Sequence, residues 1–275
     1  MQNSNAESAM KSAVTVSLVP EAKSGPFVFH DDLPAACRTA KELGFDAVEL
    51  FAPGPDAVPA KELRAVLTDN GLSLAAVGTG AGWVRHKLTL TSADAAVRTK
   101  ALDFVKEMID YGANFDAPAI IGSMQGRWGD GTDKAAGTAY LVEALDKLGG
   151  HAKALIYEPL NRYETNFATR LEEGVEVLKR AGRPSVKLLA DLFHMNIEEV
   201  NLAAAIRAAG PHVGHVHLAD SNRRPAGFGH TDFAAVAAAL REVGYVGYVS
   251  AEAFPYPDSN RAAEATMAAF REWFA

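Results

Sequence analysis

Cysteine is almost absent from this chain of 275 residues: Cys37 stands alone, so no internal disulfide can form. Its place in "LPAACRTAKELG" gives it a helical core position rather than that of an activated thiol, and a reducing, cytoplasmic setting is expected. Long apolar runs are missing as well. No segment approaches the ~18 uninterrupted apolar residues of a membrane span. The polar start "MQNSNAESAMKSA" has no apolar signal core and reads as a flexible tail over residues 1–12. Positive charge is in short supply, with 27 Lys and Arg against 34 Asp and Glu and a net charge of -7. No overall field is available to hold a polyanion, so a small neutral or anionic metabolite is a better partner than nucleic acid. No linker or low-complexity stretch divides residues 13–275, which read as one domain.

What the chain does have is alternation. Short apolar runs rich in Val, Ile and Leu start near Val14, Asp46, Leu72, Pro118, Ala154, Val186, Val213 and Gly247. Between them lie stretches with helical apolar spacing, many with a Gly near the end. Parallel strands need crossover connections, so strand alternating with helix implies a parallel sheet. Eight such units match an α/β fold with a single (βα)8 TIM barrel; an open doubly wound sheet is the alternative.

In such a barrel the active site is built at the C-terminal ends of the strands. The residues expected there are Glu49, Glu158, Asp191, His217, Asp220 and Glu252. Carboxylates converging on one mouth repel one another unless a cation lies between them. Three carboxylates and an imidazole, with oxygen predominating, suit Mn²⁺ first, with Co²⁺ or Mg²⁺ as alternatives. Glu158, Asp191, His217 and Glu252 are therefore expected to be the metal ligands. His194, on the loop after the Asp191 strand, and Arg223, six residues beyond His217, are expected to overhang the same mouth as donors to substrate oxygens. Glu164 would orient or tune His194. "GTGAGWVRH" and "GSMQGRWGDG" offer Trp83, His86, Gln125, Arg127 and Trp128 as pocket residues. The aromatic "FREWFA" is expected to pack within its own subunit.

"EPLNRYET", "DLFHMNIEE", "HVHLADSNRRPAGFGHTDF" and "SAEAF", in this order, resemble the xylose isomerase-like sugar isomerase and epimerase superfamily, and within it the D-tagatose and D-psicose 3-epimerase group. The resemblance implies that Glu158, Asp191, His217 and Glu252 hold a metal and that Glu158 and Glu252 also exchange the substrate's proton. It implies too that His194, Arg223 and Glu164 contact or orient substrate oxygens, and that the protein is a homodimer or homotetramer. Two departures stand out: Leu192, where relatives often carry a small hydroxyl residue, and "PAG" at Pro225–Gly227, where they carry Pro-Gly.

The expected reaction is metal-dependent epimerisation of a ketose at C3 through a cis-enediolate, with Glu158 and Glu252 on opposite faces of C3. The same groups would serve an aldose-ketose or hydroxypyruvate isomerase, and Arg223 with Arg224 would suit a phosphorylated sugar. Readings of another class are a non-catalytic sugar-binding barrel and a metal-dependent nuclease related to endonuclease IV. The latter would need more histidines than the eight in this acidic chain offer.

Overall fold

The structure, a computed structural model, describes residues 10–129 and 131–275. Residues 1–9 of the expected tail lie outside the described residues. The barrel begins earlier than the sequence boundary at 13: Met10 is buried, and Lys11 and Ser12 pair with Tyr248 and Val249.

Each expected apolar run forms a strand. They are β1 (Lys11–Ser17), β3 (Ala47–Phe51), β4 (Ser73–Gly78), β5 (Ala119–Ile121), β6 (Leu155–Tyr157), β7 (Val186–Asp191), β8 (Val213–His217) and β9 (Tyr248–Ala251), with a two-residue β2 (Phe29–His30) that the sequence reading did not anticipate. All pair in parallel in the order β2-β1-β3-β4-β5-β6-β7-β8-β9, and β1 also pairs with β9, so eight strands close into a barrel. Closure excludes the open doubly wound sheet.

The helices are α1 (Leu33–Leu43), α2 (Ala60–Asn70), α3 (Ala81–His86), α4 (Ala95–Ala113), α5 (Lys134–His151), α6 (Leu171–Ala181), α7 (Leu192–Glu198), α8 (Leu202–Ala209), α9 (Phe233–Glu242) and α10 (Ser259–Trp273). Aspartates cap several of them: Asp32, Asp94, Asp133, Asp232 and Asp258 each accept a first-turn backbone N–H. Two helices, α3 and α7, lie where the sequence suggested loops. His194 is therefore on a helix rather than a loop, because Asp191 at the end of β7 caps α7 directly.

Side chains fill the barrel axis unevenly. Ala13, Ala47 and Ala75 line one side, and Ile120, Ile156 and Leu189 meet on the other. This plug floors the cavity above it. Outside the strands, Cys37 is fully buried and its thiol is pushed up to about 11 by that burial, in keeping with an inert core residue. Phe274 is also buried, stacked with Phe270 and edge-on to Phe233, so the aromatic end packs within the subunit as expected.

Candidate active site

β6 runs apolar through Tyr157 and then delivers Glu158 to the mouth, its N–H donating to the carbonyl of Ile121 on β5. Tight packing holds this carboxylate. A Cβ on Gly122 would overlap Oε2 of Glu158, so the glycine at the end of β5 is what leaves room for the acid. Behind it, Gln125 donates to the carbonyls of Gly122 and Glu158 and accepts from the Tyr157 hydroxyl. Gln125 is thus a buried strut, not the pocket residue the sequence suggested.

Glu158, Asp191, His217 and Glu252 come together as expected, each offering one atom to a cluster within 4.8 Å. Nδ1 of His217 lies 3.3 Å from Asp191 Oδ2, 3.5 Å from Glu252 Oε2 and 3.8 Å from Glu158 Oε1. Burial opposes the charge on Glu158, and with Glu252 and Asp191 beside it the carboxyl is held well above its usual range. Burial also works against a charged His217, but Glu49 and Glu252 outweigh it and raise the imidazole well above its ordinary value. Three crowded carboxylates around one imidazole, all largely buried, form a donor set of oxygen and nitrogen that fits a hard divalent cation.

The sequence reading placed Glu49 at a strand end but gave it no part, and it missed His215 altogether. Glu49 receives Nε2 of both: 2.7 Å from His215 and 3.0 Å from His217. Burial raises the acid, yet His217 and His215 more than compensate and keep Glu49 well below the usual carboxylate range. With Nε2–H of His217 directed at Glu49, its Nδ1 is free to face the three carboxylates. The signal was available in "HVH": residues two apart on a strand share a face, so His215 must accompany His217.

His194 lies beside the cluster, its Nε2 3.7 Å from Glu158 and 3.9 Å from Asp191. Its Nδ1 accepts from the backbone N–H of Asn161 at 3.3 Å and is 2.7 Å from the Asn161 amide nitrogen. The proton therefore sits on Nε2, which is buried without a hydrogen-bond partner. Burial lowers the pKa of His194, which keeps the ring neutral. Asn161, which the sequence reading passed over, also donates to Glu164 at 3.0 Å.

Arg223 bonds Glu252 at 3.0 Å and Glu164 at 3.3 Å and lies over the Phe193 ring at 4.6 Å. Arg224 turns away and stacks on Tyr256 at 3.9 Å, so the two arginines do not form the phosphate receptor the sequence allowed. Asp220 is not a ligand either; it organises the loop after β8, accepting N–H groups of Ser221, Gly227 and Thr231. Leu192 is wholly buried in the core at the start of α7.

The cluster opens into a cavity of about 940 Å³. Trp83 and Arg127 line it, as expected. His86 instead packs edge-on to Phe104, and Trp128 ties its loop to Asn166.

The chain matches the Xylose isomerase-like TIM barrel family over residues 37–273. It is 34% identical to the D-psicose 3-epimerase of Agrobacterium fabrum over 244 residues, covering 85% of this chain and 80% of that protein. It is 31% identical to the L-ribulose 3-epimerase of Mesorhizobium japonicum, covering 82% and 76% of the two chains. Among solved structures, a D-psicose 3-epimerase crystallised in the presence of D-fructose superposes with a TM-score of 0.80 at 27% identity, covering 96% of this chain and 99% of that one. With its closed barrel and its extended similarity to sugar epimerases, this chain belongs to the xylose isomerase-like TIM barrel family.

Proposed function

We propose that the protein epimerises a ketose at C3, with Glu158 and Glu252 as the proton-transferring groups. The observation that carries this reading is the pair of glutamates just beyond the ends of β6 and β9, either side of Asp191 and His217, at the edge of one cavity. Glu158, Asp191, His217 and Glu252 would hold a divalent ion, and the buried oxygen-rich donor set favours Mn²⁺, with Co²⁺ or Mg²⁺ as alternatives. When bound, the ion draws electron density from a ketone oxygen and so acidifies the neighbouring C–H.

The protein groups divide the remaining work. One glutamate takes the C3 proton to leave a cis-enediolate, and the other returns a proton to the opposite face, which inverts the centre. Arg223, fixed on Glu252 and Glu164, holds the second carboxylate in position and presents charge to substrate oxygens. His194 offers its unpaired Nε2–H as a neutral donor to a hydroxyl or carbonyl oxygen. Glu164 anchors both Arg223 and Asn161, and through Asn161 it fixes the His194 tautomer.

A cytoplasmic setting and a dimer or tetramer complete the proposal. The single buried thiol supports the first, and the exposed aromatic rings of Phe228 and Tyr256 leave a face that a second copy would cover.

The test follows deuterium. Mn²⁺-loaded protein with D-fructose or D-psicose in D₂O is expected to place label at C3 and give the C3-inverted product. Glu158→Gln and Glu252→Gln are each expected to slow exchange by ~10²–10⁴ without unfolding. Label confined to C1 or C2 would make the protein an aldose-ketose isomerase instead.

A further inference from the structure

The glutamates, the two histidines and Arg223 crowd one end of the cavity, while the rest of it, bounded by the loops after β1, β4 and β5, contains different chemistry. Counting each non-hydrogen atom at the ~30 Å³ share of a liquid water, the roughly twelve such atoms of a ketohexose fill at most about 360 Å³. The cavity measures about 940 Å³, so well over half would stay empty around a free hexose. A ketose bearing one further sugar has roughly twenty-three such atoms, or about 690 Å³ by the same generous count.

The lining of the surplus space selects among occupants. Phe27 and Phe51, stacked at 4.6 Å, form an apolar wall. Trp83 and Tyr163 stand at the cavity with 40% and 75% of their surface exposed, the Trp83 ring shared with the Lys87 ammonium. Hydroxyls of Ser24, Thr89, Ser92 and Ser123 lie between. Among the described residues, the charged side chains lining this end are Lys87, Arg127 and Asp94, and all are engaged, Asp94 by the backbone N–H of Ala96. Lys87 sits over the Trp83 ring at 4.8 Å and donates to the Val84 carbonyl, and Arg127 donates to the carbonyl of Tyr163 at 2.9 Å. Aromatic faces with scattered hydroxyls and, among the described residues, no free cation suit a neutral polyol rather than a phosphate or carboxylate.

We infer that the distal chamber is a glycosyl subsite, and that the preferred substrate is a ketose unit carrying a neutral sugar on the end remote from C3. This rests on the C3-epimerase reading above. The chemistry is unchanged: the C3–H bond breaks and a new one forms on the opposite face, and the glycosidic bond takes no part. Binding energy gathered at the distal sugar would go toward fixing the reacting end.

The experiment compares isomaltulose, in which glucose is linked to O6 of fructose, with D-fructose itself, both with Mn²⁺-loaded enzyme in D₂O. The expected kcat/KM for C3 exchange is at least about tenfold higher for isomaltulose. Ala93→Trp, an exposed position on the distal wall, is expected to cut the isomaltulose value at least tenfold and the fructose value far less. Equal values for the two sugars, or a faster reaction with fructose, would overturn the subsite while leaving the epimerase standing. A parallel loss with both sugars in Ala93→Trp would also overturn it. No exchange with either sugar would overturn the epimerase reading, and the subsite with it.

Discussion

At the scale of single residues, the site depends on side chains that touch no substrate. Glu49 aims His217 by taking its Nε2–H, and shares that carboxylate with His215. Glu49→Gln should therefore weaken Mn²⁺ binding by ~10–100-fold while the circular dichroism of the fold stays unchanged, which titration calorimetry would read. Equal affinity in the variant would reduce Glu49 to a packing residue. Protonation gives a second expectation. Without a cation, Glu158 and His217 are both held well above their ordinary values, so both keep their protons to a higher pH than they would in water. A metal ion needs the carboxylate and the neutral imidazole. Binding should then release protons, and affinity should rise as pH increases through and above the usual histidine range. Calorimetry in buffers of different ionisation enthalpy measures that release directly; a pH-independent affinity would contradict it.

At the scale of elements, the informative cases are those where a charged residue also begins a structure. Asp191 closes β7, caps α7 with Oδ1 and turns Oδ2 toward the cluster. One aspartate therefore sets both the shape of the candidate metal cluster and the position of His194 on that helix. Sequence spacing found the acid but not the helix, because "DLFHMNIEE" carries no glycine and only seven residues become helical. Asp220 does comparable work on the next loop. Burial raises its carboxyl, but N–H donors led by Thr231 and Ser221 more than offset this and bring it below the usual carboxylate range. A depressed folded pKa contributes stability above the unfolded value, and that contribution is lost as pH falls through the folded value. Asp220→Ala should destabilise the protein by ~1–3 kcal/mol in urea titrations at neutral pH, with the difference from the parent shrinking at acid pH. It should also lower kcat/KM, because Arg223 is held by this loop through its N–H to the Asp220 carbonyl.

At the scale of the whole molecule, the fold was legible because alternating strand and helix patterns report parallel β topology directly, and every expected strand exists. The chemical half of the site was legible for a related reason: residues at strand ends must meet at one mouth. What escaped was contact between distant strands. Glu49 and His215 are 166 positions apart, and no local pattern records that they touch. Gln125 shows the reverse error, a polar residue in a loop-like stretch that folds inward to brace β6. The assembled cluster gives a global expectation as well. A divalent ion at 100 times its Kd should stabilise the fold by ~2.7 kcal/mol. For a barrel of this size that is about 5–10 °C in the thermal midpoint, reversed by chelation. No shift on adding Mn²⁺ to the stripped protein would speak against the site.

Barrel closure also bears on how the protein is made. The strand that carries Glu252 is the last to leave the ribosome, and the first strand waits for it, since β1 completes its pairing only with β9. Glu158, Asp191 and His217 emerge in turn, but the fourth donor and the closing seam arrive together. A nascent chain thus has no finished cage for a cation until synthesis has passed β9.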